Sequence, residues 1–411
     1  MFGRRNTSAI PPSPLPREIW VLVSAAFVIA VGFGIVAPAL PEFASSFGVG
    51  ITASSAVISA FALMRLLFTP GAGSLVQRLG ERPVYLLGLL IVALSTGACA
   101  FAQSYWQLLV FRGLGGIGST MFTISALGLL VRIAPSGVRG RVTGLYATSF
   151  LLGNIAGPVV GGLLVGFGLR VPFLIYAGAL LIAVAVVHVQ LRHSTLVAPD
   201  GADDRAVLRF RDEWTHPAYR AALASSFANG WAVFGVRVAL VPLFVTQVLG
   251  SAPSLAGVAL AVFAAANALA LIGSGRLSDS HGRKPLALVG LVITGLGTVW
   301  LGYTVSTPTF LASCVVAGFG AGLLIPSQQA AVADVIGVRG RGGPVLAGFQ
   351  MAADIGAITG PILAGLLADQ VSYSAAFALT GALSLAAALV WLRAPETSPT
   401  RTHAAGAGSR R

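Results

Sequence analysis

Long runs of apolar residues, separated by short polar stretches, divide the chain into twelve segments. Each run has about 20 residues, which is the length that an α-helix needs to cross the hydrocarbon core of a bilayer. Membrane β-strands are excluded because they alternate apolar and polar positions, whereas these runs are continuous. The pattern predicts an all-α polytopic membrane protein with transmembrane helices over residues 19–40, 51–76, 84–102, 106–131, 142–168, 171–191, 219–248, 253–275, 286–305, 308–333, 344–368 and 373–392.

The longest interior polar stretch predicts a division into two six-helix bundles. Residues 19–192 form the first predicted bundle, residues 219–393 form the second, and residues 193–218 form a charged cytoplasmic linker. Residues 1–18 are predicted to be a cytoplasmic tail, and residues 394–411, rich in Pro, Thr, Gly and Ala, a disordered one. The first run lacks the small-residue cleavage site of a secretory leader, so we expect it to remain as the first helix.

The composition agrees with a protein that is solvated by lipid. Hydrophobic residues make up 56% of the chain and charged residues 9%, whereas soluble proteins carry about 25% charged residues. The net charge of +13 comes from basic residues scattered between the apolar runs, and this distribution argues against nucleic-acid binding. Nearly all of these residues fall in alternate connections, so the positive-inside rule predicts cytoplasmic termini in a cell (inner) membrane.

Residue types that carry enzymatic or metal chemistry are sparse. Cys99 and Cys314 each lie inside an apolar run, and the five His residues lie at helix ends, in loops or in the tail. These placements predict no disulfide, no metal site and no cofactor, and they leave a membrane-embedded enzyme or assembly factor as a distant alternative. The sequence has no G-x-x-x-x-G-K-[ST] phosphate loop, which disfavours an ATP-driven pump.

Three short motifs recur in the same order in the two predicted bundles, about 200 residues apart. Secondary transporters are commonly built from internal repeats and bind their substrate between the repeats, near the middle of the bilayer. The sequence therefore predicts a transporter whose halves are related by pseudo-symmetry. The repeated positions are Gly73, Gly80 and Pro83 with Gly275, Gly282 and Pro285, residues 137–141 with residues 337–341, and Gly153, Gly157 and Pro158 with Gly356, Gly360 and Pro361.

Residues 275–285, GRLSDSHGRKP, resemble the loop signature G-x-L-x-D-R-x-G-R-K-P of the major facilitator superfamily. The resemblance covers nearly the whole chain and implies the major facilitator fold, with this signature in the cytoplasmic loop between helices 8 and 9. It also implies gating contacts that close the cytoplasmic side and break when the transporter faces inward. The residues that would make these contacts are Gly275, Asp279, Gly282, Arg283 and Lys284.

The first-half copy of this signature, in the loop between helices 2 and 3, has Gln77 where the family has an aspartate. An aspartate can pair with arginines and cap a neighbouring helix, and an amide cannot supply that charge. We therefore expect Asp279 to do more of the latching, near Arg139 and Arg141 at the start of helix 5. The other gating positions of this copy are Gly73, Arg78, Gly80 and Arg82.

The fifth predicted helix matches the antiporter signature of the same family, G-x8-G-x3-G-P-x2-G-G, at each fixed position. Small residues let two helices approach closely, and a proline bends a helix. Within the family the signature is associated with exporters that exchange drug-like compounds for protons, and generic small-residue packing is the alternative. The matching residues are Gly144, Gly153, Gly157, Pro158, Gly161 and Gly162.

Four charged residues fall inside predicted spans: Arg65, Arg112, Arg237 and Asp354. Charged side chains are rare inside a membrane and mark ion pairs, cavities or proton pathways. Asp354 is a candidate proton carrier, a counter-ion to Arg237 or Arg112, or part of a purely structural ion pair. Arg112 also resembles the arginine of the family's R-x-x-x-G motif, which is linked to proton transfer, and its alternative is to reach the outer interface. The proton-coupling candidates are therefore Asp354, Arg112 and Arg237.

Aromatic and amide side chains at mid-depth in several helices are predicted to line a substrate cavity. Such a wall suits large amphipathic ligands, because an apolar pocket with a few placed polar groups binds them. The candidates are Phe27, Phe33, Asn154, Asn229, Trp231, Phe234, Asn267 and Gln350.

These features together predict a secondary active transporter that exports hydrophobic or amphipathic small molecules in exchange for protons by alternating access. A proton-coupled uptake symporter of the same fold is the alternative. Many proton-coupled exporters of the family carry an acid within helix 1, whereas here the nearest acid, Glu42, lies just past the outer end of the predicted helix. The expected partners are the substrate, protons and the lipid bilayer, and we expect a monomer that binds no nucleic acid.

Overall fold

Twelve helices that are long and apolar enough to cross a membrane run through the described residues, and no strand is found among them. The computed structural model describes residues 15–133, 139–191, 214–336 and 343–397. The predicted all-α fold with twelve transmembrane helices is confirmed. The first half contains α1 (Arg17–Val36, continued by Ala39–Ser45), α2 (Ile51–Leu79), α3 (Glu81–Ala100), α4 (Tyr105–Ile133), α5 (Arg139–Val165) and α6 (Val171–Leu191). The second half contains α7 (Pro217–Asn229, Gly230–Val236 and Arg237–Gln247), α8 (Ser254–His281), α9 (Arg283–Leu301), α10 (Thr307–Ile336), α11 (Gly343–Gln370) and α12 (Tyr373–Leu392).

Helices α1 and α7, the first helix of each half, are both irregular. The helical hydrogen bonding of α1 is interrupted after Val36, next to Pro38, which has no backbone N–H to donate. The helix then resumes and continues to Ser45. Glu42 consequently lies on a helical segment and not past the helix end. In α7 the segment Gly230–Val236 is a π-helix, and a side-chain carbon at Gly235 would lie 2.8 Å from Cδ of Pro361 on α11. The π-helix therefore lies where α7 and α11 pack closely together.

The motif predicted for the loops between helices 2 and 3 and between helices 8 and 9 lies mainly on helices. α2 continues to Leu79 and α8 continues to His281, so each connection consists of a single glycine. Gly80 has a φ of 83° and Gly282 a φ of 100°. Such positive φ values strain any residue that has a Cβ atom. The loop prediction is therefore correct only for these two glycines, which make the turns.

Tight glycine contacts hold equivalent helix pairs together in the two halves. A side-chain carbon at Gly88 of α3 would lie 2.6 Å from the backbone nitrogen of Phe122 on α4. The equivalent contact joins Gly290 of α9 to Leu324 of α10, at 2.8 Å. Without such small residues the helix axes would be forced apart. The shared arrangement agrees with the pseudo-symmetry predicted from the repeated motifs.

The start of the predicted C-terminal tail is fixed against the second half. Glu396 accepts hydrogen bonds from the backbone nitrogens of Arg283, at 2.8 Å, and Lys284, at 3.2 Å. A carboxylate at this position stabilises the positive end of the helix dipole of α9. The disorder predicted for residues 394–411 is therefore wrong for residues 394–397, while residues 398–411 and most of the predicted linker, residues 193–213, lie outside the described residues.

Candidate functional site

The two halves meet closely at one end of the helices, which we call the closed face; it carries the α1–α2 and α11–α12 connections. Asp369, near the end of α11, accepts hydrogen bonds from the backbone nitrogens of Ile51, at 2.9 Å, and Thr52, at 2.7 Å. Its carboxylate also accepts a hydrogen bond from the Thr52 hydroxyl. A carboxylate is well placed at the first turn of a helix, where backbone N–H groups lack partners. Asp369 thus caps α2 from the opposite half.

Helices α5 and α8 form a second contact between the halves at the closed face. A side-chain carbon at Gly257 of α8 would lie 2.6 Å from Cα of Gly162 on α5. A side-chain carbon at Gly162 would in turn lie 2.7 Å from the backbone oxygen of Ser254. These distances leave no room for any side chain, so the closed arrangement requires glycine at both positions.

The helix 5 signature has two different packing partners. Gly153, Gly157 and Gly161 face α1 of their own half, and a side-chain carbon at Gly157 would lie 2.8 Å from Cα of Gly34. Gly162 and the backbone oxygen of Pro158 lie against Gly257 of α8 in the other half, whereas the Pro158 ring lies against Gly34 of α1. A side-chain carbon at Gly144 would meet no atom within 4 Å. Five of the six signature residues therefore pack α5 against α1 of its own half and, at the closed face, against α8 of the other half.

At the opposite end, the same helices lose contact. We call this end the basic face because it carries Arg78, Arg82 and Lys284. Gly73 of α2, Gly144 of α5, and Gly273 and Gly275 of α8 all face open space. The described part of the chain thus contains a gap between the halves that opens toward the basic face and ends at the closed face.

An ion pair between Arg65 of α2 and Asp354 of α11 joins the halves near the middle of the membrane. Along α2, the contacts with α11 begin at the closed face with the Thr52–Asp369 hydrogen bond. They continue with the bond from the Ser59 hydroxyl to the backbone oxygen of Ile358, and this ion pair lies nearest the basic face. Gln350 Nε2 also lies 3.5 Å from the Asp354 carboxylate. The Asp354 side chain is 11% exposed and the Arg65 side chain 32% exposed. The pair therefore lies at the end of the gap.

Asp354 does not pair with Arg112 or Arg237, so that sequence prediction is wrong. Each of those arginines is buried inside its own half. The Arg112 guanidinium lies 4.2 Å from the ring centroid of Phe61, and that of Arg237 lies 3.7 Å from the centroid of Phe263. Asp354 instead lies on the face of α11 that contacts α2, where Arg65 is its partner. Arg112 does not reach the outer interface, because it is only 6% exposed.

The two buried arginines stack on equivalent phenylalanine rings, although they come from different helices of their halves. Phe61 of α2 and Phe263 of α8 are matching residues of the repeat, yet Arg112 comes from α4 and Arg237 from α7. Both leave their Nε atoms without a hydrogen-bond partner, and neither has a carboxylate partner among the described residues. Stacking on an aromatic face partly offsets the loss of hydration of a guanidinium.

The predicted cavity residues divide into exposed and buried groups. Phe27 is 39% exposed and Phe234 56%, and Asn154 and Gln350 are exposed as well. Phe33 and Asn267 are half-buried. Trp231 is buried and donates from Nε1 to the Thr380 hydroxyl at 3.1 Å, and Asn229 is also buried. Trp231 is thus a packing residue of the second half, and Gln350 is the candidate that the structure places directly beside Asp354.

The gating residues of the second half are held within that half. Arg283 pairs with Asp279 and lies 3.2 Å from Asp334 of α10, while Lys284 Nζ donates to the backbone oxygens of Leu392 and Ala394. The side chains of Arg139 and Arg141, the partners expected for Asp279, lie outside the described residues. In this conformation, open at the basic face, Asp279 bonds to its own half.

An ion pair that the sequence did not reveal occupies the equivalent place in the first half. Glu81 at the start of α3 and Arg132 near the end of α4 lie 2.9 Å apart. These positions match Arg283 and Asp334 with the charges exchanged. Arg82 of the same motif donates to the backbone oxygen of His188 at 3.2 Å. The pair could be identified from the sequence by comparing the repeat at two places, the start of the third helix and the end of the fourth helix of each half, and not at the loop signature alone.

Metal chemistry receives no support from the geometry. Within the residues that the structure describes, no group of three or more His, Cys, Asp or Glu side chains could hold a metal ion. Cys99 and Cys314 are both buried and unpaired by disulfide. The arrangement that remains is a gap between two helix bundles with one ion pair at its end, which is suited to binding and releasing a solute.

A family model described as Major Facilitator Superfamily matches residues 22–236 and 222–410. The quinolone resistance protein NorA of Staphylococcus aureus is 29% identical over 177 residues, which is 43% of this chain and 45% of NorA. The chain therefore matches slightly less than half the length of NorA. A multi-drug resistance efflux pump PmrA homolog of Lactococcus lactis is 25% identical over 402 residues, which is 91% of this chain and 94% of that protein.

Solved structures with the same fold include membrane transporters. A bacterial homolog of the human lysosomal transporter Spinster, in an inward-facing and occupied conformation, aligns with a TM-score of 0.78 and 16% identity, over 91% of this chain and 95% of that one. A POT family transporter in complex with a peptide conjugate aligns with a TM-score of 0.77 and 12% identity, over 92% and 96%. At these identities the likeness concerns the fold.

Proposed function

Because the chain belongs to the major facilitator superfamily, a family of membrane transporters and not of enzymes, we propose that it is a proton-coupled exporter of hydrophobic or amphipathic small molecules. The observation that carries the proposal is the ion pair between Arg65 and Asp354, which joins the two halves inside the membrane. The efflux-pump relatives and the complete helix 5 signature support export over uptake.

The orientation follows from the distribution of charge. Arg78, Arg82 and Lys284 lie on the basic face, together with Arg17, Arg132, Arg220 and Arg276 at the neighbouring helix ends. Positively charged connections remain on the cytoplasmic side of a membrane. The basic face is then cytoplasmic, both termini lie in the cytoplasm, and the conformation described here is open to the cytoplasm and closed to the outside.

Alternating access makes the ion pair sensitive to the state of the transporter. To open the closed face, α2 and α11 must separate, and this movement pulls Arg65 away from Asp354. The unpaired Asp354 carboxylate is then poorly solvated and accepts a proton that enters from the outside. When the closed face forms again, Arg65 returns and favours the ionised carboxylate, so the proton leaves through the gap to the cytoplasm. One cycle thus carries a proton inward.

The substrate enters from the cytoplasm while the pair is intact. It binds in the gap, where exposed apolar and aromatic side chains such as Phe234 and the Gln350 amide offer a mixed surface. Its contacts with both halves offset the free energy of separating Arg65 from Asp354. Outward movement thus carries the substrate, and the inward return carries the proton on Asp354, so export of substrate alternates with entry of a proton, which is antiport.

A pH-gradient assay on inverted membrane vesicles tests the function and identifies substrates. A panel of amphipathic compounds is added to energised vesicles that contain the protein, and an internal pH-sensitive dye reports proton efflux. Compounds that are transported are expected to collapse the gradient, and vesicles without the protein are the control. Efflux that continues unchanged after an ionophore removes the gradient would contradict proton antiport.

A further inference from the structure

Glu42 is a buried acid with no role in the mechanism above. It lies on the segment Ala39–Ser45 that continues α1 toward the closed face, and it is only 9% exposed. Its Oε1 atom has no hydrogen-bond partner. The segment packs against α2 of its own half and against Arg237–Gln247 of α7 in the other half. The carboxyl group therefore lies within the contact that closes the face.

Among the residues that the structure describes, no cation forms an ion pair with this carboxyl group. Residues 51–64 of α2 and residues 147–165 of α5, both packed near the segment, contain no titratable side chain. On the α7 segment the charged residue is Arg237, at the far end from Thr246 and stacked on Phe263. Arg170, in the α5–α6 connection, lies 5.8 Å from the Phe43 ring and donates to the backbone oxygen of Ala102. An ionised Glu42 would thus be both desolvated and unpaired.

The neighbouring polar group suits a protonated carboxyl. Glu42 interacts with the hydroxyl of Thr246 on α7. That hydroxyl has a single hydrogen and can donate it to the backbone oxygen of Pro242, at 3.3 Å, or of Leu243, at 3.2 Å. While it does so, it offers Glu42 an acceptor. A carboxylic acid group can then donate to it, whereas a carboxylate must compete with these two backbone oxygens for the hydrogen.

We propose that Glu42 is a proton-binding site of the gate at the closed face: closing this face takes up one proton from the outside, and opening it releases that proton to the outside. The proposal rests on the alternating access proposed above, but it assigns a second proton with a different task. The Glu42 proton sets how readily the gate closes, whereas the Asp354 proton is the one carried across the membrane.

The two acids give opposite pH dependences, which allows them to be separated. Asp354 stabilises the closed face when it is ionised and paired with Arg65, so its contribution is lost as pH falls. Glu42 stabilises the closed face when it is protonated, so its contribution is lost as pH rises. In an Asp354→Asn background the Glu42 contribution remains, while the exposed Asp369 carboxylate, which accepts three hydrogen bonds from α2, stays charged over the pH range of the test.

Distance measurements across the closed face test the proposal. Spin labels are placed at Phe101 and Val305, exposed residues in the α3–α4 and α9–α10 connections of the two halves, after Cys99 and Cys314 have been replaced by alanine. Double electron–electron resonance in lipid nanodiscs then gives the open fraction between about pH 5 and pH 9. We expect the open-to-closed ratio of Asp354→Asn to rise with pH by up to about tenfold per unit.

Adding Glu42→Gln to Asp354→Asn should remove this pH dependence and keep the face closed, because the amide stays neutral. The matched control is Glu18→Gln, another carboxyl of α1 but at the basic face, which should leave the slope unchanged. A Thr246→Val variant, which keeps Glu42, should shift the midpoint of the transition along the pH axis because the carboxyl loses its polar neighbour on α7.

Two results would overturn the proposal: no pH dependence in Asp354→Asn, or an unchanged slope after Glu42→Gln is added. If Glu42→Gln does not fold, the Thr246→Val shift decides instead, and an unshifted transition would refute the site. Failure of the proposed function is seen separately, as proton-independent efflux by the wild-type protein. The gate result stands whichever way that experiment turns out.

Discussion

At the scale of single residues, the repeat retains an ion pair while exchanging its charges. Glu81 pairs with Arg132 in the first half, and Arg283 pairs with Asp334 at the equivalent place in the second. Each pair ties the start of one helix to the end of its neighbour at the basic face. Because the acid lies on the first of the two helices in one half and on the second in the other, with the same backbone arrangement, this site should accept the ion pair in either order of charges.

Reversing one charge of the first pair should destabilise the protein, and reversing both should restore it. Glu81→Arg places two cations together, and we expect a loss of about 2 kcal/mol, between the values for exposed and buried pairs. The double variant Glu81→Arg with Arg132→Glu should recover most of that loss. Thermal unfolding in detergent measures it, with Arg220→Glu, at an exposed site, as the control. A double variant no more stable than the single one would contradict the interpretation.

The sequence could identify the charged residues of the site but not their pairing. Arg65, Arg112, Arg237 and Asp354 stand out because charge is rare inside apolar runs. Which of them meet depends on the face of each helix and on the conformation of the two halves. The pattern of apolar residues does not define these faces, because lipid and protein interior are both apolar. The sequence alone therefore matches Asp354 to the wrong arginines.

At the scale of helices, close packing at glycine positions decides which helices can meet. Gly257 of α8 and Gly162 of α5 touch across the two halves, whereas Gly273 of α8 faces open space. The helix 5 signature thus has a geometric meaning in this chain: it lets α5 approach α1 and α8. The sequence predicted close packing there, but it could not indicate which partner each glycine contacts.

A bulky residue at Gly257 should prevent the closed face from forming. Gly257→Val places methyl groups against the Gly162 backbone, so the halves must separate at that end. Ser55 of α2 is buried against Gly365 of α11 in the closed face, so labelling of a single cysteine at Ser55 by a membrane-impermeant maleimide should become faster than in the otherwise identical parent. Gly273→Val is the matched control on the same helix and should leave the rate unchanged, since nothing lies within 4 Å of its side-chain position. Equal rates in both variants would show that the α5–α8 contact does not control closure.

The cap that α11 provides for α2 should also hold this face shut. Asp369→Asn retains the shape but removes the charge that accepts three hydrogen bonds at the first turn of α2. We expect the open fraction to increase about tenfold, which corresponds to about 1.4 kcal/mol. The spin-label distance between the halves measures this change. An unaltered distance distribution would mean that the cap forms without contributing to closure.

Helix boundaries show a second limit of the sequence. Hydropathy falls at the polar residues of the loop signature, so the sequence pattern predicts a loop at residues 275–285. The backbone hydrogen bonds of α8 nevertheless continue to His281, because polar side chains at a membrane surface do not end a helix. Only Gly282, with its positive φ, ends it.

At the scale of the whole molecule, the fold creates one state of an alternating-access cycle. The halves are joined at the closed face by α2–α11 and α5–α8 contacts and separated at the basic face. Repeated motifs and apolar runs were sufficient to predict two six-helix bundles. The state could not be predicted from them, because one sequence encodes both the open and the closed arrangement of the same helices.

The central claim is that Asp354 couples substrate export to proton entry through its pairing with Arg65. The most direct measurement is uphill accumulation of a transported amphipathic dye by proteoliposomes under an imposed pH gradient. We expect the wild-type protein to concentrate the dye, and Asp354→Asn to allow only equilibration while it still binds the dye. Glu18→Gln is expected to behave as wild type. Accumulation by Asp354→Asn at the wild-type rate would contradict the account.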